Sequence, residues 1–426
     1  MFCMKKIREL LLQNVSTSQI LVKNSLWLGM VEVVAKIIMF FVTISVVRYF
    51  GASDFGRLNY AQSFVGIVML LSDFGINTIL IRDIAKDKRH VAAYLTSALF
   101  VKLISTLLVV LLLALIVPNL SSTRADIALF LWVGAFLLMQ SLGGLFNGVL
   151  TAYERMQDIF VTRVIYYLLI LASVVTVTYF HLDLHALLSA YTLSAIAAAL
   201  VATIFLRKLA IGLLPRVDMA LTKRLLLESL PIFGLLAINQ IYLNLDTVLI
   251  RMSHGAITVG YYQAAYKILF AFQAINLIST ATFPRIAALY HMGEMAQLKK
   301  LAKLVLIGTS AVFVPFIAFV FVFAPALISR IYGASYLPSA TVLPILLTAG
   351  VIMFYRTFIG NFFLAAHRQS LVFRASLIGL FINVALNYLL IPRVGLVQGG
   401  ISLVVSESVM LGILGSSLTL KKTISN

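Results

Sequence analysis

The chain has little charge, one cysteine and two tryptophans among its 426 residues. Charged side chains make up 11% of it, whereas a soluble domain carries about 25%. This shortage, together with 62% hydrophobic residues, excludes a soluble enzyme and a disordered protein, because no water-surrounded core of this length buries so much apolar surface. The single cysteine, Cys3, excludes an intramolecular disulfide. The composition therefore predicts a polytopic membrane protein.

Motifs for nucleotide or metal binding are also missing. The sequence has no GxxxxGK[ST] loop, no HExxH and no CxxC. We therefore expect no catalytic residue, no metal and no cofactor. Any energy for transport should come from an ion gradient or from the gradient of the substrate itself. Residues 1–24 lack a small-residue cleavage site, so we expect no cleavable signal.

Long apolar runs predict twelve membrane spans. A helical span needs about 20 apolar residues to cross about 30 Å of hydrocarbon. The runs lie at about 25–47, 60–81, 92–117, 127–150, 159–180, 186–206, 230–250, 259–283, 302–324, 340–364, 371–391 and 398–420. They are continuous and do not alternate with polar residues, which predicts helices and not the strands of a barrel.

The positive charges predict the orientation of these spans. Most of the 33 lysines and arginines fall in alternate loops, beginning with the N-terminal tail and the 82–91 loop. Lysine and arginine concentrate on the cytoplasmic side of membrane proteins. We therefore expect both termini to be cytoplasmic, and topology explains the net charge of +18 without nucleic acid.

The two halves of the chain resemble each other. Gly51 and Gly56 recur at the same spacing as Gly255 and Gly260, with Arg48 and Arg251 before them. The stretch 152–155 likewise recurs at 365–368. A shift of six spans keeps both copies in one orientation, which is typical of parallel repeats in transporters. We expect an all-α protein of two parallel six-helix lobes around a central cavity, with lobes at 1–206 and 229–426 and a cytoplasmic linker at 207–228.

Several short stretches carry a resemblance to a known family: Asn24, Arg48, Gly51, Phe55-Gly56, Ser72-Asp73-Phe74-Gly75 and Arg82-Asp83-Ile84-Ala85. Together they resemble the opening of Wzx-type polysaccharide flippases, members of the multidrug/oligosaccharidyl-lipid/polysaccharide exporter superfamily. The resemblance extends over about residues 20–420 in length, span number and repeat.

This resemblance implies a transporter and not an enzyme. Its substrate would be an undecaprenyl-diphosphate-linked oligosaccharide, moved from the cytoplasmic to the periplasmic leaflet of the bacterial inner membrane for O-antigen or a related surface polysaccharide. Lipopolysaccharide biosynthesis would be the context, and a polysaccharide polymerase and a chain-length regulator would be partners. An ion-coupled multidrug or cation antiporter of the same superfamily is the main alternative. A membrane glycosyltransferase or polymerase is less well supported, because every predicted periplasmic loop is short.

Ionisable residues inside spans are functional candidates, because burying a charge in lipid is costly. A lipid-linked diphosphate would need fixed cations in a water-filled cavity to replace its lost hydration. The candidate substrate-binding cations are Lys36, Arg48, Lys102, Arg251, Lys267 and Arg356. The candidate ion-coupling carboxylates are Asp73 and Glu407, whose burial would favour reversible protonation.

Structural explanations compete with these roles. Glu32 and Lys36 are four residues apart on one helix face and would neutralise each other. A local ion pair explains Asp246 and Arg251 equally well. Arg48 and Arg251 also fit helix-end anchors. Lys102, Lys267 and Arg356 have no acid within one turn, which favours the cavity, although snorkelling or pairing with another helix also fits.

Overall fold

In the computed structural model, the described residues are 17–120, 123–209, 211–212 and 217–419, and all regular structure among them is helical. Parts of the chain used above lie outside these ranges: Cys3 with the first 16 residues of the N-terminal tail, residues 210 and 213–216 of the predicted linker, and the C-terminus from residue 420. The expectations that rest on them stay predictions.

Thirteen α-helices make up the described part of the chain. They are α1 Thr17–Val68, α2 Leu70–Asp73, α3 Ile76–Lys86, α4 Val91–Leu120, α5 Arg124–Ala152, α6 Met156–Tyr179, α7 Leu184–Lys208, α8 Met219–Phe272, α9 Asn276–His291, α10 Met295–Tyr332, α11 Leu343–Ala365, α12 Gln369–Val394 and α13 Leu396–Thr419. Short 3₁₀ turns stand at Lys88–His90, Gln273–Ile275 and Ala334–Thr341.

Helix ends follow ordinary capping chemistry. The Thr123 side chain accepts a hydrogen bond from the Asp126 N–H at the start of α5, and Asp183 caps α7 in the same way through Ala186. Just past the ends of α5 and α11, Glu154 and His367 take left-handed φ angles of 57° and 55°. These two residues occupy corresponding positions of the sequence repeat.

Ten helical segments in the described part are long and apolar enough to cross a bilayer. The expected all-α, multi-pass membrane protein is thus confirmed. Two of these segments are unusually long: Leu26–Lys86 has 61 residues and Met219–His291 has 73. Each contains more than two bilayer lengths of helix. The count of twelve spans stays a prediction.

Exposed leucines show how such a helix meets lipid. In α4, one side chain per turn is 58–70% exposed, while Val109 and Leu113 on another face are buried. The exposed stripe is Leu103, Leu107, Leu111 and Leu115. A helix that is apolar on all sides requires an apolar solvent around it.

Both very long helices bend at a glycine of the sequence repeat. Gly51 in α1 and Gly255 in α8 have φ angles of 69° and 82°, which side-chain-bearing residues rarely adopt. Beyond each bend the two helices touch closely. An added Cβ on Gly56 would overlap the Ala256 carbonyl oxygen, and one on Gly260 would overlap that of Ala52. The repeated glycines therefore have two separate tasks, bending and close approach.

The chain forms two compact units. Unit 1 comprises Phe64–Gln240 with the chain up to Ser45, and unit 2 comprises Val46–Ser63 with the chain from Ile241 onward. In unit 1, α3, α4, α5 and α6 share a core that includes Leu80, Leu95 and Val149. In unit 2, Ile286, Phe358 and their neighbours form a core of α9, α10 and α11.

Candidate functional site

The second predicted span is interrupted near its middle. Helix α1 ends at Val68, α2 lasts four residues, and Phe74 and Gly75 have left-handed φ angles of 48° and 72° before α3 begins. Phe74 stacks on Phe233 of α8 with ring centroids 4.5 Å apart. An added Cβ on Gly75 would lie 2.9 Å from Ile232, so glycine suits both the angle and the space. Irregular backbone at membrane depth occurs where it is covered by protein or lines a cavity.

A cavity of about 380 Å³, lined by both polar and apolar residues, lies beside this interruption, within unit 1. We call it the amide cavity, because four amide side chains line it with one carboxylate and one hydroxyl. These six residues are Asn77, Gln140, Asn239, Gln240, Asp73 and Ser141. Its size falls within the range of about 300–1,000 Å³ that is typical of ligand pockets.

Amide side chains suit a ligand that is rich in hydroxyl groups. Each amide offers two donors and a carbonyl acceptor, so it can accept from one sugar hydroxyl and donate to another. The Oδ1 atom of Asn77 is buried without a hydrogen-bond partner among the described residues. A Cβ added on Gly148 of α5 would overlap this oxygen, so the Oδ1 atom packs between α3 and α5 and the rest of the Asn77 side chain lines the cavity.

Asp73 and Lys102, two sequence-predicted site residues, form one ion pair. The Lys102 Nζ donates to Asp73 Oδ1 at 2.8 Å. The lysine side chain is 4% exposed, whereas the aspartate side chain is 38% exposed. Asp73 therefore faces the amide cavity, and Lys102 lies behind it as a buried counter-ion. The lysine does not line the cavity itself.

Arg356 and Glu407 form a second such pair in unit 2. Glu407 of α13 is fully buried and accepts from Arg356 Nε of α11 at 2.5 Å. It also accepts from the Tyr242 hydroxyl of α8 at 2.8 Å, and that hydroxyl lies 2.9 Å from Ser406 Oγ. The arginine side chain is 22% exposed, so the cation is the more accessible partner here.

A further buried carboxylate lies one helical turn from Tyr242. Asp246 accepts from the Tyr262 hydroxyl and from the backbone N–H of Thr247, the latter at 2.7 Å. Gln263 donates to the Thr247 hydroxyl at 2.6 Å. The local ion pair that was one alternative for Asp246 and Arg251 is not formed, and neutral donors satisfy this carboxylate instead.

A protein-family model described as "Polysaccharide biosynthesis protein" matches residues 21–290. The chain belongs to this family. The resemblance to polysaccharide flippases of the exporter superfamily is confirmed. The capsular polysaccharide biosynthesis protein CapF of Staphylococcus aureus is 23% identical over 395 residues, which cover 92% of this chain and 97% of CapF. The probable low-salt glycan biosynthesis flippase Agl15 of Haloferax volcanii is 22% identical over 375 residues, covering 85% and 76%.

Solved structures share the fold of this polysaccharide biosynthesis family member. The lipid II flippase MurJ in an inward closed conformation gives a TM-score of 0.75 at 15% identity, covering 91% of this chain and 86% of MurJ. A multidrug MATE transporter of the MOP superfamily in an inward-facing conformation gives 0.69 at 14%, covering 93% and 100%. At these identities the likeness shows the fold and does not specify the substrate.

The two repeat-related arginines have different surroundings. Arg48 donates from Nε to the Ile331 carbonyl at 2.8 Å and from Nη2 to the Arg330 carbonyl at 2.6 Å, at the C-terminal end of α10. A cation at a helix C-terminus satisfies free carbonyls and the helix dipole. Arg251 instead lies over the Tyr60 ring, 5.6 Å from its centroid, and its Nε is buried without a partner among the described residues.

Lys36 and Lys267 stand apart from these networks. Glu32, which is four residues from Lys36, pairs with Arg163 of α6 at 3.3 Å. No ion pair or hydrogen bond of the Lys36 or Lys267 side chain occurs within the part of the chain that the structure describes. Both side chains are half-buried. Lys267 follows Gln263 by one turn of α8.

Sequence reasoning missed two groups of residues. The amide cavity was missed because only charged residues were treated as candidates, although Asn77 follows the recognised Ser72–Gly75 stretch closely.

The other group is an ion network in unit 1, in which Asp83 accepts from Arg82 Nε at 2.7 Å and from Arg224 Nη2 at 2.6 Å. Arg82 and Arg224 also pair with Glu228. The sequence motif contained Arg82 and Asp83, but it did not predict Arg224 and Glu228 as their partners.

Proposed function

We propose that this chain moves undecaprenyl-diphosphate-linked oligosaccharide repeat units from the cytoplasmic to the periplasmic leaflet, for O-antigen or a related surface polysaccharide. The amide cavity beside the interrupted span is the observation that carries this proposal, because its amide side chains match sugar hydroxyls. Family membership and flippase-named relatives support the same conclusion. Transport by alternating access needs no catalytic group.

The membrane arrangement that goes with this function is also a proposal. It has twelve spans in two six-helix lobes, 1–206 and 229–426, joined by the linker 207–228. Both termini face the cytoplasm of a bacterial cell, and the protein lies in the inner membrane. The polysaccharide polymerase and the chain-length regulator are proposed partners. The support for two lobes comes from the repeated glycine bends at Gly51 and Gly255.

The proposed roles of the charged residues follow from their exposure. Asp73 faces the amide cavity, and Glu407 is buried against a more accessible Arg356, so we propose both carboxylates as coupling groups and Arg356 as a substrate contact. Lys267 and Lys36, which have no counter-ion among the described residues, remain proposed contacts for the diphosphate. Lys102, Arg48 and Arg251 would act mainly through the groups that they hold in place.

A cation or drug antiporter is the second candidate function, and one observation favours it. Asp73 is the only charged side chain among the residues that line the amide cavity. An acidic group in an otherwise neutral cavity suits a cationic substrate. The MATE transporters show that the fold accommodates multidrug transport.

The test is deletion of the gene with complementation by the full chain. For the flippase, the deletion should abolish surface polysaccharide and leave lipid-linked repeat units in the cytoplasmic leaflet, where an impermeant periodate reagent added to intact cells does not reach them. Complementation should restore both. Normal polysaccharide with increased sensitivity to cationic dyes would overturn the flippase and support the antiporter. A variant with Asn77→Ala and Gln140→Ala should restore protein abundance but not polysaccharide.

A further inference from the structure

A second, smaller cavity in unit 1 has the chemistry of an anion site. Its volume is about 220 Å³, and residues of helices α5, α6 and α7 line it. Arg163, Tyr166 and Tyr167 recur at three- and four-residue spacing and so project from one face of α6. From α5, Gln140 and Asn147 face them across two glycines. We call this cavity the Arg163 pocket. Its size suits one sugar or one phosphate-sized group better than a whole oligosaccharide.

Arg163 holds its present partner weakly. Its Nη1 lies 3.3 Å from Glu32 Oε1 of α1, whereas three other ion pairs between helices are shorter: Lys102–Asp73 at 2.8 Å, Arg224–Asp83 at 2.6 Å and Arg356–Glu407 at 2.5 Å. Both side chains are nearly half exposed, at 41% and 49%. An arginine has five N–H donors and binds carboxylate or phosphate best through two of them. One long contact leaves most of this capacity unused.

The polar groups around Arg163 suit a sugar that carries an anionic group. Gln140 donates to the Tyr166 hydroxyl at 3.1 Å, which leaves the amide oxygen of Gln140 to accept. The Oδ1 of Asn147 is buried without a hydrogen-bond partner in the described residues. Gln140 also lines the amide cavity, so the two cavities share a wall. A ligand that spans both would place neutral hydroxyls among the amides and its anionic group at Arg163.

We propose that the Arg163 pocket binds an oxyanion of the transported ligand, and that this oxyanion displaces Glu32 from Arg163. The chemistry shared by the possible ligands is a pair of acceptor oxygens, from the diphosphate or from the carboxylate of a uronic acid sugar. The proposal rests on the proposed function for the identity of the ligand, but binding of the anion can be measured without transport.

The experiment uses the purified full chain in nanodiscs with Trp132→Phe, which leaves Trp27 as the single indole. Trp27 lies 5.0 Å from the Phe160 ring, one turn before Arg163, so its fluorescence reports on this region. The probes are undecaprenyl diphosphate, methyl glucuronide and, as the neutral control, methyl glucoside. Arg163→Gln should weaken binding of the matching anion about tenfold, which corresponds to one lost charge-assisted contact. Glu32→Gln should strengthen it several-fold, because the competing carboxylate is gone.

If Arg163 binds the anion, Arg163→Gln should lower the affinity and Glu32→Gln should raise it. If the two residues form only a structural ion pair, both variants should lower the thermal stability of the protein without these opposite effects on affinity. Arg163→Lys, which keeps the charge without the two-pronged geometry, should bind with intermediate affinity and serves if Arg163→Gln does not fold. Arg124→Gln, which changes an exposed arginine outside the pocket, is the matched control.

The anion whose affinity changes in these variants identifies the group that the pocket binds. Unchanged or equally reduced affinity for both anions in folded Glu32→Gln and Arg163→Lys would overturn the proposal, whether or not deletion supports transport. Conversely, opposite effects in a chain whose deletion leaves polysaccharide normal would keep the anion site and reject only the flippase.

Discussion

Lys102 and Arg356 illustrate how a membrane helix holds a cation that would be costly alone in apolar surroundings. Each is joined to a carboxylate on another helix, Asp73 in one case and Glu407 in the other. In the first pair the acid is the accessible partner, and in the second pair the arginine is. The two pairs therefore present opposite charges to their surroundings, although each is neutral as a unit.

The asymmetry of the first pair leads to a prediction. Asp73→Asn would leave Lys102 buried without its counter-ion, and an uncompensated buried charge costs about 3–5 kcal/mol. Lys102→Met would leave Asp73 with 38% of its side chain exposed, so that water can solvate the carboxylate. We expect Asp73→Asn to lower the thermal unfolding temperature of the detergent-purified protein more than Lys102→Met does.

The double variant, with Asn at 73 and Met at 102, is the control, and it should recover most of the stability that Asp73→Asn loses. Transport should be measured beside stability, since Asp73 is also a proposed coupling group. If Lys102→Met proves the more damaging change, the assignment of Lys102 as a buried counter-ion is wrong.

These residues also show where sequence reasoning reached its limit. The candidates Lys102, Arg356, Asp73 and Glu407 were all found from their types and positions within apolar runs. Their pairing was not found, because partners were sought within one helical turn, and packing brings distant helices together. Lys102 was predicted to face the cavity because its own helix has no acidic residue within one turn.

At the scale of helices, the repeated glycines could be predicted as a pattern but not as a mechanism. The spacing of Gly51 and Gly56 was recognised in Gly255 and Gly260, and the structure bends at the first member of each pair. That the second members lie against backbone carbonyls depends on how α1 and α8 cross within unit 2, which no spacing encodes. The amide cavity depends on packing in the same way, because its polar side chains come from four separate helices, α2, α3, α5 and α8.

Close approach at these glycines should make both positions intolerant of a side chain. In Gly56→Ala and Gly260→Ala the new methyl group meets a backbone carbonyl, which cannot turn away as a side chain could. Overpacking of this kind costs about 1–3 kcal/mol or more. We expect both variants to lose thermal stability or membrane abundance. Gly308→Ala in α10, where nothing lies within 4 Å, is the matched control and should be neutral or slightly stabilising. Equal behaviour of all three variants would contradict the crossing.

At the scale of the whole chain, the two longest segments determine the number of membrane crossings. The 61 residues of Leu26–Lys86 would extend about 90 Å as a straight helix, about three times the thickness of the hydrocarbon core. The left-handed bend at Gly51 and the break at Phe74 divide this length into pieces of ordinary span size. The same reasoning applies to Met219–His291 with its bend at Gly255. Two crossings for each long segment therefore fit the bilayer better than one.

Labelling of single cysteines decides between the two counts, because Cys3→Ser yields a chain without any cysteine. With twelve spans and a cytoplasmic N-terminus, cysteines at 90, 215 and 297 should be protected from an impermeant thiol reagent in intact cells. Those at 54, 122, 183 and 335 should react. If each long segment crossed only once, positions 90, 122, 183 and 215 would all reverse, since they lie between the two long segments. Positions 297 and 335 would not change, because the second long segment restores the original side, and they serve as internal controls. Protection at 90 together with reaction at 122 supports twelve spans, and the opposite result at both positions would reduce the count to ten and remove the six-span repeat.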